Sequence, residues 1–459
     1  MRSPRLALLG TGSLLTWAAA CGSNVTDATG GTTTGSGGAG SAGSVTVSAT
    51  ASAGATSVSA SSSSGSSSGT GGKGVDNGMP SNVYPAPHAD PPQVVTFGGP
   101  VLASPKIVPV FFADYDATLA GQVTDLDAKV GATKYWAANV AEYGVGAAVS
   151  AMPVKLTEMA PTTIDDGAIQ TWLAAKLNGN DAAWPAADAN TVYSLHYPVS
   201  ATITSGGATS CQEFGGYHSN ITLDAAHGSM DVAYAVIPSC PNFGAMSLLD
   251  ATTTTETHEL LEAATDPYPM TNPAYTTVDG KHAYWARVLG GGENGDMCAQ
   301  FGSSFTTFAE LPYLVQRSWS DKAAMAGHDP CVPSLPGEVY FNAAPMLNDT
   351  ITAMVFGQSV LLKGVKIPVG QSKTIELDLF SDAATTGPWT VSAKDVSSAL
   401  MGGPTLLEFS FDRDTGVNGE KLHLTITSKA TGKHGTAAFI LDSKLGTQKS
   451  VWIGIVGAK

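Results

Sequence analysis

Apolar and polar positions along the chain fall into three textures. From Gly22 to about Gly74 almost no large apolar side chain occurs; from about Val94 to Pro336 apolar runs alternate with helical spacings; beyond about Gly337 short alternating segments take over. In the middle region Lys106-Ile-Val-Pro-Val-Phe-Phe112 predicts a buried strand, and Thr191 to Tyr197 and Asp231 to Ile237 predict two further strands. Asp125 to Val140 predicts a helix carrying Leu126, Val130, Trp136 and Val140, and Gly167 to Leu177 a second one. A third helix is expected from about Leu248 to Ala264, with Leu249, Thr253, Leu260 and Ala264 on its packing face. Pro267 biases Asp266 away from helical geometry, so this helix should stop near Thr265.

The last region reads differently. Ile375 to Leu379, Glu408 to Phe411, Leu422 to Ile426, Ala437 to Leu441 and Val451 to Val456 predict half-buried strands, most of them by period-two alternation. Turn signals at Asp414-Thr-Gly416, Asn418-Gly419 and Thr431-Gly432 separate them and favour an antiparallel sandwich of immunoglobulin-like size. Two folded domains are therefore expected, 81–336 and 337–459.

Composition narrows the function classes. The chain has 459 residues, 43% of them apolar, which is enough for sizeable cores. Charged residues make up only 13% and the net charge is −15, so the electrostatic footprint of a nucleic-acid binder is missing. Arg2 and Arg5 precede an apolar stretch from Leu6 to Trp17 that ends in Ala18-Ala19-Ala20-Cys21, which reads as a secretory signal over 1–20. It resembles a bacterial lipoprotein signal, with Cys21 as the lipidated residue and the lipid as the protein's link to a membrane. No later apolar run is long enough to cross a bilayer. The Gly-, Ser- and Thr-rich stretch after Cys21 buries too little to fold and reads as a disordered spacer, 21–80 with its Pro-rich exit. Roughly fifty such residues reach about 40 Å, enough to lift a domain off an outer-membrane or cell surface.

Cysteine arithmetic agrees with export. Setting Cys21 aside leaves Cys211, Cys240, Cys298 and Cys331, without the C-x-x-C spacing of a structural zinc site. Two disulfides are expected, and of the three pairings Cys211 with Cys240 and Cys298 with Cys331 is preferred because each closes a moderate loop.

The chemistry concentrates in Glu256-Thr257-His258-Glu259-Leu260-Leu261-Glu262, an H-E-x-x-E run. Residues four apart share a helix face, so His258 and Glu262 can point at one ion, while Glu259 stands where a metalloprotease keeps its general base. Zinc accepts carboxylate oxygen as well as imidazole; a shell of this kind also admits manganese or calcium. A further ligand is required, and the candidates are Glu293, Asp296 and Asp266. Asp266 lies about 12 Å from His258 along an uninterrupted helix and reaches the ion only if the chain folds back; otherwise it organises the turn before Pro267. His218 and His227 precede the helix and could line a cleft, although a lone histidine is more often structural. Gly290-Gly-Gly292-Glu-Asn-Gly295 formally fits a dinucleotide fingerprint without the strand and helix that it needs, and no G-x-S-x-G elbow occurs from Val94 onward.

Gly216-Tyr-His218, Tyr234-Ala-Val-Ile-Pro-Ser-Cys240, His258 to Pro267, Glu293-Asn-Gly-Asp-Met-Cys298 and Tyr313-Leu-Val-Gln316 with Trp319 occur in the order seen in the EXORDIUM-like (phosphate-induced protein 1) family. The resemblance covers about Val94 to Pro336. It implies an extracellular protein, and it carries over the His258-Glu259-x-x-Glu262 motif and the Glu293-x-x-Asp296 element; no reaction comes with it. Plant members can have Ser-Asn-Pro at Thr265-Asp266-Pro267, which speaks against Asp266 as a ligand. The expectation is an α+β protein: a zincin-like mixed α/β domain, then the all-β sandwich. Its function would be that of a cell-surface lipoprotein and zinc-dependent hydrolase acting on a peptide or surface polymer, with Glu259 catalytic. The competing expectation is a wall- or surface-binding protein with a structural metal or none.

Overall fold

The computed structural model describes residues 76–459 apart from 180, 400–402, 433 and 459. The leader, Cys21 and most of the spacer lie outside the described residues. The chain is mixed α/β with β-sheet predominating. No helix among the described residues is long and apolar enough to cross a membrane.

The first part is built on a sheet of β1 (Lys106–Phe111), β2 (Thr191–Tyr197), β3 (Tyr217–Thr222) and β4 (Asp231–Pro238). Its order is β1-β2-β4-β3, with short strands Val149–Ser150 and Val154–Lys155 beyond β1. β1, β2 and β4 run parallel, and β3 returns antiparallel along β4. The three expected strands are the parallel ones. Each is buried nearly throughout, which is why β1 and β4 read as near-continuous apolar runs, whereas β2 buries Ser194 and His196 among its apolar residues.

The expected helix over Asp125 to Val140 is two helices, α1 (Ala117–Val130) and α2 (Lys134–Val140). Asp116 caps the first, accepting from Leu119 N, and Thr133 opens the second by accepting from Trp136 N. A break at Gly131 lets the chain pass closely under Ala148, where a Cβ would lie 2.3 Å from a carbonyl oxygen. α3 (Asp166–Asn178) follows the expected span.

α4 (Leu248–Thr265) ends where Pro267 required. It has no solvent face, for every residue from Ala251 to Thr265 is buried. A threonine-rich helix can be buried so fully because its hydroxyls bond inside the helix: Thr252 to Leu248 O, Thr254 to Asp250 O, Thr257 to Thr253 O and Thr265 to Leu261 O, at 2.7–3.0 Å. α4 packs on β2, β3 and β4 and against β5 (Leu311–Gln316). Short helices α5 (Tyr284–Leu289) and α6 (Asp296–Ala299) complete this part.

The last part consists of two sheets. One, in the order β6-β9-β13-β11, comprises β6 (Phe341–Pro345), β9 (Ser372–Ser381), β11 (Leu407–Phe411) and β13 (Lys421–Ser428). The other, in the order β7-β8-β15-β14-β10-β12, comprises β7 (Asp349–Val355), β8 (Gln358–Lys366), β10 (Trp389–Asp395), β12 (Thr415–Gly416), β14 (Thr436–Leu445) and β15 (Gln448–Gly457). Pairing is antiparallel except between β8 and β15. Leu377, Leu422 and Leu424 of one sheet and Phe439, Leu441 and Trp452 of the other share one core.

That core does not end at the last part. Trp285 of α5 meets Trp452 edge to face at 5.8 Å, and Met297, Cys298 and Trp319 belong to the same buried cluster. The entry segment is tied there too: Asn418 donates to Ser81 O and Val83 O and accepts from Ala86 N and Ser381 N. Residues 77–459 accordingly form one compact unit. Both preferred disulfides are present, Cys211–Cys240 and Cys298–Cys331.

Candidate metal centre

α4 delivers His258, Glu259 and Glu262 into the interior, where their residues are 5%, 2% and 0% exposed. A solvated helix face is thereby excluded. His258 Nε2 lies 3.2 Å from Glu262 Oε2 and 3.9 Å from Glu259 Oε1 and from Asp296 Oδ1. His218, on β3, brings its Nδ1 to 3.6 Å from Glu259 Oε2 and 3.7 Å from Glu262 Oε2, while its Nε2 is 3.5 Å from Glu293 Oε2. Ligand-bearing atoms thus gather in two triads, His258–Glu262–Asp296 and His218–Glu262–Glu293, within each of which they lie inside 4.8 Å of one another. Glu262 belongs to both.

Both rings are held from behind. His258 Nδ1 lies 3.2 Å from Gln316 Oε1 at the end of β5, and Gln316 Nε2 donates to Gly295 O at 2.8 Å. His218 Nε2 lies 3.1 Å from Asp266 O. The opposite nitrogens, His258 Nε2 and His218 Nδ1, face the carboxylates but stand outside hydrogen-bond geometry. An imidazole anchored through one nitrogen, with the other turned toward carboxylates, is the arrangement in which histidine serves as an oriented ligand.

Electrostatics favour a cation here. Burial works to depress the His258 pKa, but Glu262, Glu259 and Asp296 outweigh it and push it up to about 10. His218 is raised in the same way, Glu259 and Glu262 outweighing its burial. Burial pushes Glu259 up against the pull of His258 and His218, and burial followed by repulsion from Glu262, Asp266 and Asp296 pushes Glu293 well up. Arg317, next to Gln316, turns away to Asp329 at 2.7 Å.

The run Gly290 to Gly295 has its explanation in this site. A Cβ at Gly295 would lie 2.7 Å from Glu262 Oε1 and 2.9 Å from His258 Nδ1, and one at Gly291 would lie 1.8 Å from Asp296 Oδ2. The glycines let the acidic loop close directly over α4, and Asp296 N donates to Glu262 Oε1 at 2.9 Å. Gly216, two residues before His218, is equally confined, with Glu259 Oε1 3.0 Å from its would-be Cβ. The Cys298–Cys331 bridge pins the far end of the loop.

Asp296 is therefore brought to His258 and Glu262 in one triad, and Glu293 to His218 and Glu262 in the other. Asp266 is placed otherwise: the chain does fold back, but the Asp266 carboxylate accepts from Ala274 N at 2.6 Å and braces the turn. His218, a lone histidine by sequence, joins the site. Its signal was Gly216-Tyr217-His218, a glycine followed by a histidine on the one antiparallel strand of the sheet, which the apolar pattern did not reveal. His227 stays outside, paired with Asp224 at 2.7 Å.

A cavity of about 410 Å³ opens elsewhere, at the junction of the two parts, lined among others by Trp285, Phe301, Tyr340 and Trp452; neither Glu259 nor any of the five triad residues borders it.

No protein-family model matches the chain. No curated protein matches it. Among solved structures, domains 4 and 5 of the S-layer protein SbsC are similar over 25% of this chain and 54% of that chain, at 17% identity and a TM-score of 0.16. The titin M3 domain is similar over 20% of this chain and 85% of that chain, at 12% identity and a TM-score of 0.14. The chain spans about half of the S-layer structures it matches, 54% and 45% of their lengths. Likenesses of this extent assign neither fold nor function.

Proposed function

We propose that this is an exported surface protein, lipid-anchored through Cys21, whose residues 81–336 form a zincin-like, EXORDIUM-like domain that binds a divalent cation, zinc foremost, and hydrolyses peptide or related bonds. The carrying observation is the pair of histidines, each tethered through one ring nitrogen to an oxygen and aiming the other at Glu262. His258, Glu262 and Asp296 would hold the ion, with His218 and Glu293 completing the shell. A bound zinc ion supplies Lewis acidity and a lowered water pKa. Glu259, beside both histidines, is the group placed to accept a proton. Residues 337–459 would be an immunoglobulin-like sandwich that spaces or presents this domain. The two disulfides fit an oxidising compartment.

One observation favours a second reading, a non-catalytic surface- or wall-binding protein with a structural ion: every donor is buried, and structural sites are closed whereas catalytic ones keep an open position. Paired variants decide between them. His258→Ala should lose metal, whereas Glu259→Gln should keep it and lose cleavage of a fluorogenic peptide library, because an amide cannot take up the proton. Wild-type protein free of stoichiometric metal would defeat both metal readings. Metal retained with Glu259→Gln unchanged in every property would leave the structural reading standing.

A further inference from the structure

We propose that Asp127, His196 and Glu256 form a second, structural divalent-cation site, on the opposite face of α4 from His258. Asp127 comes from the last turn of α1, His196 from the middle of the sheet on β2, and Glu256 from α4. Glu256 precedes His258 by two residues, about 200° around a helix, so the two side chains leave α4 on different sides. Each of the three offers a ligand atom within 4.8 Å of the others, and their exposures are 1%, 0% and 0%.

The cluster is built for a positive charge that the chain itself does not provide. Among the described residues the ion-pair partner of Glu256 is His196, at 3.5 Å, and no lysine or arginine pairs with Glu256 or Asp127. Neither oxygen of Asp127 meets hydrogen-bond geometry, nor does His196 Nδ1. Ser194 Oγ stands 2.9 Å from both Glu256 oxygens and 3.0 Å from His196 Nε2, orienting the two groups from one side. Phe111 stacks on the His196 ring at 4.8 Å and closes another. Two bare carboxylates in such a core would cost far more than folding can spare, so the pair carries either protons or an ion. A divalent ion balances two carboxylates and an uncharged imidazole. One nitrogen and two oxygens, without sulfur, suit zinc or manganese rather than a soft ion. Bound there, the ion would staple α1 and α4 to the central strand beneath the first centre, and it requires no catalysis.

The test uses the mature full-length protein, loaded with zinc(II), dialysed and analysed for metal. Asp127→Asn and His196→Gln are each expected to lose one equivalent relative to wild type and to keep the ion that His258→Ala loses. Asp127→Asn with wild-type metal content overturns the proposal. Should that variant not fold, anomalous scattering from wild-type crystals at the zinc edge decides: a peak within bonding distance of Asp127 and Glu256 supports the site, and its absence overturns it. The His258→Ala count is read separately, so loss of the first assignment would leave this one standing.

Discussion

Gln316 Oε1 lies 3.2 Å from His258 Nδ1, and the same amide donates to Gly295 O. One side chain thus orients the helix-borne imidazole and anchors the acidic loop that brings Asp296 to it. Gln316→Ala is expected to leave the fold intact and to weaken zinc binding about 10- to 100-fold, the usual cost of losing a group that orients a ligand. Competition against a chromophoric chelator measures this. An unchanged affinity would mean that the contact does not orient the ring.

Gly295→Ala places a methyl group against Glu262 Oε1 and His258 Nδ1 at less than 3 Å. Overpacking of this kind costs about 1–3 kcal/mol, and the zinc affinity should fall with it. Gly302→Ala, whose Cβ meets nothing within 4 Å, is the control and should stay within about 0.5 kcal/mol. Urea unfolding of both variants gives the comparison.

Much of the first part was legible because parallel strands and a capped helix write themselves locally. β1 and β4 are near-continuous apolar runs, and Pro267 marks the end of α4. His258, Glu259 and Glu262 could be placed on one helix by spacing alone. What could not be read was depth and partnership. The threonines of α4 look polar in sequence, yet their hydroxyls are satisfied within the helix, so the element is buried on all sides. His218 joins through an antiparallel return that only the sheet order discloses, and Glu256 sits opposite Asp127 and His196, groups 129 and 60 residues away. Gly290 to Gly295 imitated a nucleotide fingerprint because both uses need glycine for the same reason, close approach of backbone to another group.

Trp285 and Trp452 join the two parts through an edge-to-face contact in one core. Trp285→Ala should therefore destabilise the protein by about 3–5 kcal/mol, with the wild type unfolding in a single transition followed by tryptophan fluorescence and circular dichroism. Two resolved wild-type transitions would show instead that the parts melt independently.

Asp321 gives the expected pH dependence. Burial, aided by Glu142, pushes its carboxyl up to about 7, although it accepts from Val94 N at 2.8 Å. The folded-state value lies above the unfolded one, so between about pH 4 and 7 the native state binds more protons and this group's contribution falls as pH rises. Asp321→Asn, which cannot ionise, should gain stability relative to wild type between pH 5 and pH 8. Equal differences at the two values would contradict the assignment.

If Glu262, shared by both triads, holds a metal ion with His258, its replacement must change the protein's metal content. Mature wild-type protein and Glu262→Gln, purified identically, exposed to zinc(II) and dialysed, are compared by mass spectrometry of the bound metal. Wild type is expected to carry at least one equivalent, and Glu262→Gln one equivalent less while keeping its circular dichroism spectrum. The same metal content in both proteins, or none in the wild type, would contradict the claim.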